Sequence, residues 1–160
     1  MLNITLLCVG KLKESYWRDA CAEYEKRLGA FCRFRLVEVA EERIPDNPSV
    51  SQISATVEAE GKRLLEHIPR DSAVIPLCIE GKELDSPALA ARMQKLAVDG
   101  TSHIVFIIGG SWGLSEAVKG RATLRLSMSL MTFPHQLARV MVLEQVYRAF
   151  QISSGGKYHK

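Results

Sequence analysis

At 160 residues and 17.8 kDa the chain has the length of one domain, spanning 1–160, and is too short for two that each bury a core. Apolar residues at 47% and charged residues at 24% exclude disordered and low-complexity classes, and no apolar run approaches the about 20 residues that cross a bilayer. Net charge is only +3, yet residues 121–160 hold Arg121, Arg125, Arg139, Arg148, Lys157 and Lys160 against the single acid Glu144, which reads either as an anion-binding surface or as a solvated face.

Residues 3–9 are an apolar run closed by Gly10 and read as a buried strand. Ser15 is placed to cap a helix in which Trp17, Ala20, Cys21, Tyr24 and Leu28 keep helical spacing, with Gly29 as the stop. Residues 32–39 give a second strand. Pro45, Asp46, Asn47 and Pro48 make residues 41–50 a turn-rich stretch and the best candidate for a mobile loop. Ser51 begins a helix with Ile53, Val57, Leu64, Leu65 and Ile68 on one face, residues 73–79 are a third strand, and Glu80-Gly81-Lys82 reads as a turn. Ser86 and Pro87 form an N-cap and N1 pair for a helix striped by Leu89, Met93, Leu96 and Ala97, and residues 104–108 are a fourth strand. Leu124, Leu126, Met128 and Leu130 alternate with Arg125, Ser127 and Ser129, which predicts a fifth strand. The last helix, about 136–151, is apolar on more than one face, so either a second subunit or the sheet and neighbouring helices must cover it. Residues 153–160 form a polar tail.

Strands alternating with helices predict an α/β fold with a largely parallel sheet between helix layers, and ligands of such sheets bind at C-terminal strand ends. The loops after Ile79, Ile108 and Leu130 are therefore the places to look. Cys8, Cys21, Cys32 and Cys78 show no C-x-x-C pairing and read as buried thiols of a reducing compartment, and the four histidines have no ligand spacing, so no metal is expected. With no basic n-region or cleavage site near Met1, the expected location is cytoplasmic.

Several short constellations carry possible chemistry. Gly109-Gly110-Ser111-Trp112-Gly113 follows an apolar strand with a spacing that is neither a dinucleotide fingerprint nor a P-loop, and serves as a tight turn or a ligand loop. Thr132-Phe133-Pro134-His135 puts an imidazole at a helix start, where its cation is disfavoured; His135 is either a neutral hydrogen-bonding group or a cap. Glu144 and Arg148 share a helix face at i, i+4, as a plain surface pair or as a functional one, since Glu144 lies within an apolar helix. The tail after Gly155-Gly156 combines Lys157, Tyr158, His159 and Lys160, a set able to stack a base and hold a phosphate.

Residues 107–114 (IIGGSWGL), 126–150 (LSMSLMTFPHQLARVMVLEQVYRAF) and the closing Tyr158-His159-Lys160 together resemble the small SPOUT-type RNA methyltransferases of the ribosomal large-subunit methyltransferase H family, over the whole chain. The resemblance implies transfer of a methyl group from S-adenosylmethionine to N3 of a pseudouridine in a stem-loop of 23S rRNA, by a homodimer whose C-terminal region forms a trefoil knot. It implies cofactor contacts at Leu77, Gly109, Met128, Ser129, Leu130, Met131, Thr132 and Phe133. Trp112 departs from the family pattern, being bulkier than the polar residue often found inside the glycine loop. A sulfonium donor needs no metal, so positioning does most of the work and the acceptor N3–H must lose its proton. Glu144 or His159 is the candidate for the proton, Arg148 for the developing anion and Tyr158 for stacking the acceptor base. Two other classes remain at this stage, a non-catalytic RNA- or ribosome-binding module and an α/β nucleotide-binding regulator.

Overall fold

In the computed structural model, which describes residues 1–160, β1 (Asn3–Val9) is the strand on which the sheet is built. Its alternation feeds both faces: Ile4, Leu6 and Cys8 enter one core, Leu7 and Val9 the other. It pairs with β2 (Arg33–Val39) on one side and β4 (His103–Ile108) on the other. Next to β4 come β3 (Ala73–Glu83) and β5 (Leu126–Ser127), giving the order β2-β1-β4-β3-β5 with every pairing parallel. A parallel sheet needs cover on both faces. The larger core packs under α1 (Ser15–Leu28), α3 (Ser86–Val98) and α5 (His135–Ser153), the smaller under α2 (Val50–Leu65) and α4 (Glu116–Gly120). All four cysteines are buried and unpaired, and burial pushes the Cys8 thiol up to about 12.

Three helix starts differ from the sequence reading. Ser15 lies inside α1, after Glu14, whose side chain makes no cap. α2 starts one residue before Ser51, because Ser49 accepts from the Gln52 N–H at 3.2 Å while the Gln52 side chain accepts from the Ser49 N–H at 2.8 Å, a reciprocal capping box. Asp85, not Ser86, caps α3 through the Ala88 N–H at 2.8 Å, which frees the Ser86 hydroxyl to donate to Gln145 on α5 at 2.6 Å. The short α4 has too few residues for a periodic signal.

The sheet's far edge also differs. Glu80-Gly81-Lys82 is not a turn: β3 runs through it, because β5 pairs with β3 on both sides of a bulge that sets Leu77 and Lys82 against Leu126. Gly81 is required there, since a Cβ would stand 2.8 Å from the Arg125 carbonyl. β5 is only two residues long. Beyond it the Ser127 hydroxyl donates to the Ser129 carbonyl at 3.0 Å and the Ser129 hydroxyl accepts from the Met131 N–H at 3.0 Å, so local side-chain bonds replace the ladder. The 41–50 segment is irregular as expected, but its start is anchored by the Glu42 N–H donating to Glu60 at 3.0 Å.

No residue of α5 from His135 to Ile152 is exposed, since α1, α3 and the sheet cover its apolar faces within the chain. Its apolar excess therefore does not call for a second subunit. Arg139 is 1% exposed, donating to Glu38 at 2.6 Å and to the Gly10 carbonyl at 2.7 Å. It belongs to the core and not to an anion surface, whereas Arg121, Arg125, Lys157 and Lys160 are exposed.

Candidate active site

A cleft of about 570 Å³ opens at the C-terminal end of β4 and beside Leu77–Ile79 in the middle of β3, next to the chain leaving β5 and the first turns of α5. This is where a parallel sheet presents ligands, and the volume suits a cofactor-sized molecule. One wall is the glycine loop. Gly109 leaves no room for a side chain because its Cβ would stand 2.8 Å from the Gly113 carbonyl oxygen, and Gly113 has φ +87°. The Gly113 N–H donates back to the Gly110 carbonyl at 3.1 Å. The loop is thus a tight turn and a cleft wall at once, and a bulky residue at Gly109 meets the loop's own backbone before it meets a ligand.

The opposite wall is the irregular segment after β5. Leu77, Gly109, Met128, Ser129, Met131, Thr132 and Phe133 all line the cleft; Leu130 does not, and is 78% exposed beside it. The cleft contains only two ionisable side chains, Cys78 and His135. Burial raises the Cys78 thiol, and burial followed by the nearby Arg139 lowers His135, so neither carries charge at neutral pH. The rest of the lining is apolar groups, backbone and the hydroxyls of Ser111, Ser129 and Thr132.

A second group forms further along α5. Glu144 accepts from Arg148 at 2.6 Å and from the Tyr158 hydroxyl at 3.0 Å, and its other oxygen accepts from Gln145 at 3.0 Å. The Arg148 guanidinium stands 4.6 Å from the Tyr158 ring centroid and 3.1 Å from His159 Nδ1. Tyr158 packs edge-on to Tyr147 at 4.9 Å between centroids. The tail therefore folds back on α5 instead of trailing from its glycines. Burial and the hydrogen bond to Glu144 push the Tyr158 phenol up to about 12, so it stays a donor, and the hydrogen bond to Glu144 fixes Arg148 as a cation.

The fold thus brings Glu144, Arg148, Tyr158 and His159 together, but none of the four lines the cleft of its own chain. Met141, which does line it, lies one helical turn before Glu144. Cleft residues the sequence did not single out are Cys78, Ala138 and Met141. Cys78 could have been found as the last buried position of the apolar run 73–79, Ala138 and Met141 only from the helix phase.

The family described as predicted SPOUT methyltransferase matches residues 2–159. The chain is 53% identical over 159 residues to the ribosomal RNA large subunit methyltransferase H of Bifidobacterium adolescentis and 48% identical to that of Clostridioides difficile, covering 99% of this chain and 100% of each relative. Among solved structures, a methylase family protein from Haemophilus influenzae is similar at TM-score 0.52 and 15% identity, over 99% of this chain and 70% of that one. A Legionella pneumophila protein described as a methyltransferase and solved with bound SAM is similar at TM-score 0.50 and 12% identity, over 95% and 66%. These two likenesses concern the fold. On the full-length sequence matches, the chain belongs to the SPOUT methyltransferase family.

Proposed function

We propose that this single-domain chain is an S-adenosylmethionine-dependent methyltransferase of large-subunit rRNA, acting at N3 of a pseudouridine in a 23S stem-loop, as a cytoplasmic homodimer. The observation that carries the reading is an uncharged, cofactor-sized cleft sharing a helix with the polar group Glu144, Arg148, Tyr158 and His159. The full-length relatives support the same substrate class. A sulfonium ligand fits a cleft with no fixed cation among its lining groups. When bound, it supplies an activated methyl group.

The chain's own task is to hold that ligand and present the acceptor ring in line with it. Leu77, Gly109 and the 128–133 segment hold the cofactor, with Leu130 acting through its backbone or from the rim. The acceptor N3–H is weakly acidic, so Glu144 or His159 takes its proton while Arg148 stabilises the anion that forms. The protonated Tyr158 stacks on the acceptor base and donates where an oxygen is in reach. Ile79, Trp112, Leu130 and Met131 are exposed apolar groups on or next to the cleft wall, a rim that a second copy would cover.

The test is transfer of labelled methyl from S-adenosylmethionine to ribosomes lacking the modification, with nucleoside mass spectrometry locating the product. Deleting Tyr158–Lys160 should leave cofactor affinity intact and lower transfer by about two orders of magnitude. RNA binding without any transfer by the intact chain would leave a binding module instead.

A further inference from the structure

The conspicuous polar group of the cleft is one that the reaction scheme above does not use. His135 is the first residue of α5 and lines the cleft, and it is preceded by Pro134, whose side chain supplies no cap. Neither ring nitrogen has a partner within the chain. Nδ1 is sealed from solvent and unpaired, whereas Nε2 is not sealed and is the ring nitrogen that a molecule outside the chain can reach. Buried polar atoms are nearly always satisfied, so with Nδ1 already unpaired, Nε2 is the one ring atom left to make a hydrogen bond, and it belongs to a side chain that lines a ligand-sized cleft.

The surroundings decide which nitrogen carries the proton. One turn along α5 lies Arg139, itself 1% exposed, with its own Nε also unpaired. A proton on Nδ1 would leave a buried N–H without an acceptor, whereas a lone pair there is cheaper to leave unpaired. The remaining charge near the ring is Glu41, in the segment after β2, which opposes Arg139 but acts less strongly than burial and Arg139 do. Glu38, on β2, is already bonded to Arg139. From within the cleft only the neutral thiol of Cys78 is ionisable. These groups leave the imidazole neutral with its hydrogen on Nε2, so it offers one N–H to whatever fills the cleft.

We propose that His135 is a ligand-binding residue of the cleft, donating its Nε2–H to an acceptor atom of the bound adenosyl cofactor. This inference rests on the methyltransferase reading of the cleft. It assigns His135 a neutral donor's role, and not that of a cation paired with a carboxylate, and it gives the imidazole of the Phe-Pro-His segment a function that capping does not.

The experiment is calorimetric titration of the intact chain with S-adenosylmethionine, for wild type, His135→Gln and His135→Leu, between pH 6.5 and 9, with thermal melts of all three. Glutamine places an amide N–H near the Nε2 position, whereas leucine fills the space without a donor. The expected result is a wild-type pH profile parallel to the leucine variant's, since the cofactor's own amino group titrates in this range, a glutamine variant within about threefold of wild type, and a leucine variant weaker by about tenfold or more, the scale of one lost hydrogen bond. In steady-state transfer the leucine variant should raise KM for the cofactor with kcat little changed. A merely structural His135 would lower the melting temperature of both variants without that split. Wild-type affinity in the leucine variant overturns the proposal, as does a wild-type affinity that falls with rising pH more steeply than the leucine variant's, the mark of an imidazolium ion pair. A wild-type chain that binds no cofactor at any pH overturns the cofactor reading itself and this assignment with it. A bound wild type with an indifferent leucine variant overturns only the latter.

Discussion

Replacing Arg139 by methionine tests how α5 is fixed to the sheet. The guanidinium is 1% exposed and spans from Glu38 at 2.6 Å to the Gly10 carbonyl at 2.7 Å, tying the last helix to the ends of β1 and β2. Methionine fills much of the same volume, so the loss comes from the partners and not from a cavity. The buried Gly10 carbonyl loses its donor, at about 1–3 kcal/mol. Breaking a buried pair costs about 3–5 kcal/mol in general, but the Glu38 side chain is 26% exposed and regains water, so the lower end applies. We therefore expect about 3 kcal/mol for Arg139→Met and a similar loss for Glu38→Gln, which strands the buried cation. For a chain of this length that is a fall in Tm of roughly 6–12 °C. Urea denaturation followed by circular dichroism measures both, and the double variant should recover at least about 1 kcal/mol relative to the summed losses. Single variants within about 0.5 kcal/mol of wild type, or strictly additive losses, would refute the view that this ion pair is a buried tether.

Two further outcomes follow from the same geometry. Gly109→Ala places a methyl 2.8 Å from the Gly113 carbonyl oxygen and 3.0 Å from Leu114, so it should lower stability by about 1–3 kcal/mol and cofactor affinity by about tenfold or more. Thermal melts and calorimetry check both, and an alanine variant equal to wild type in each would mean that the loop is not closed on itself. Tyr158 has a folded pKa of about 12 against an ordinary value near 10, so its contribution is complete below pH 10 and is lost as pH rises through 12. Melts of wild type and Tyr158→Phe should therefore converge over that window, and a constant difference up to pH 12 would place the phenol outside the Glu144 network.

Long apolar runs were legible from the residues alone. β1 and β4 are each a near-continuous apolar stretch, which is what a strand buried on both faces requires, and the parallel sheet follows from their alternation with helices. The fifth strand shows the limit. Leu124 and Leu126 are buried as their alternation predicts, but Leu130 continues the pattern and is 78% exposed, because the serine hydroxyls had already taken the backbone out of the ladder. Arg139 looked like surface charge because its partner Glu38 lies 101 positions away, beyond any local pattern. The pairing of Glu144 with Arg148 was visible as helix spacing, whereas the return of Tyr158 across Gly155-Gly156 has no periodicity to betray it. The cleft residues of the 128–133 segment came from family resemblance, since nothing in their spacing marks an irregular stretch as a wall.

The strand order has a consequence for how the chain comes to be folded during its synthesis. β1 pairs with β4 at Asn3 and His103, a separation of one hundred residues, so the second edge of the first strand stays open until most of the chain has been made. At about 5–20 residues per second the ribosome needs roughly 5–20 s to cover that distance. For that interval a seven-residue apolar strand emerges with only β2 available to pair with it. Non-local parallel pairing of this kind folds slowly and exposes its edges on the way. Any condition that lengthens the wait, such as a translational pause between β2 and β4, should therefore increase aggregation without altering the stability of the finished protein.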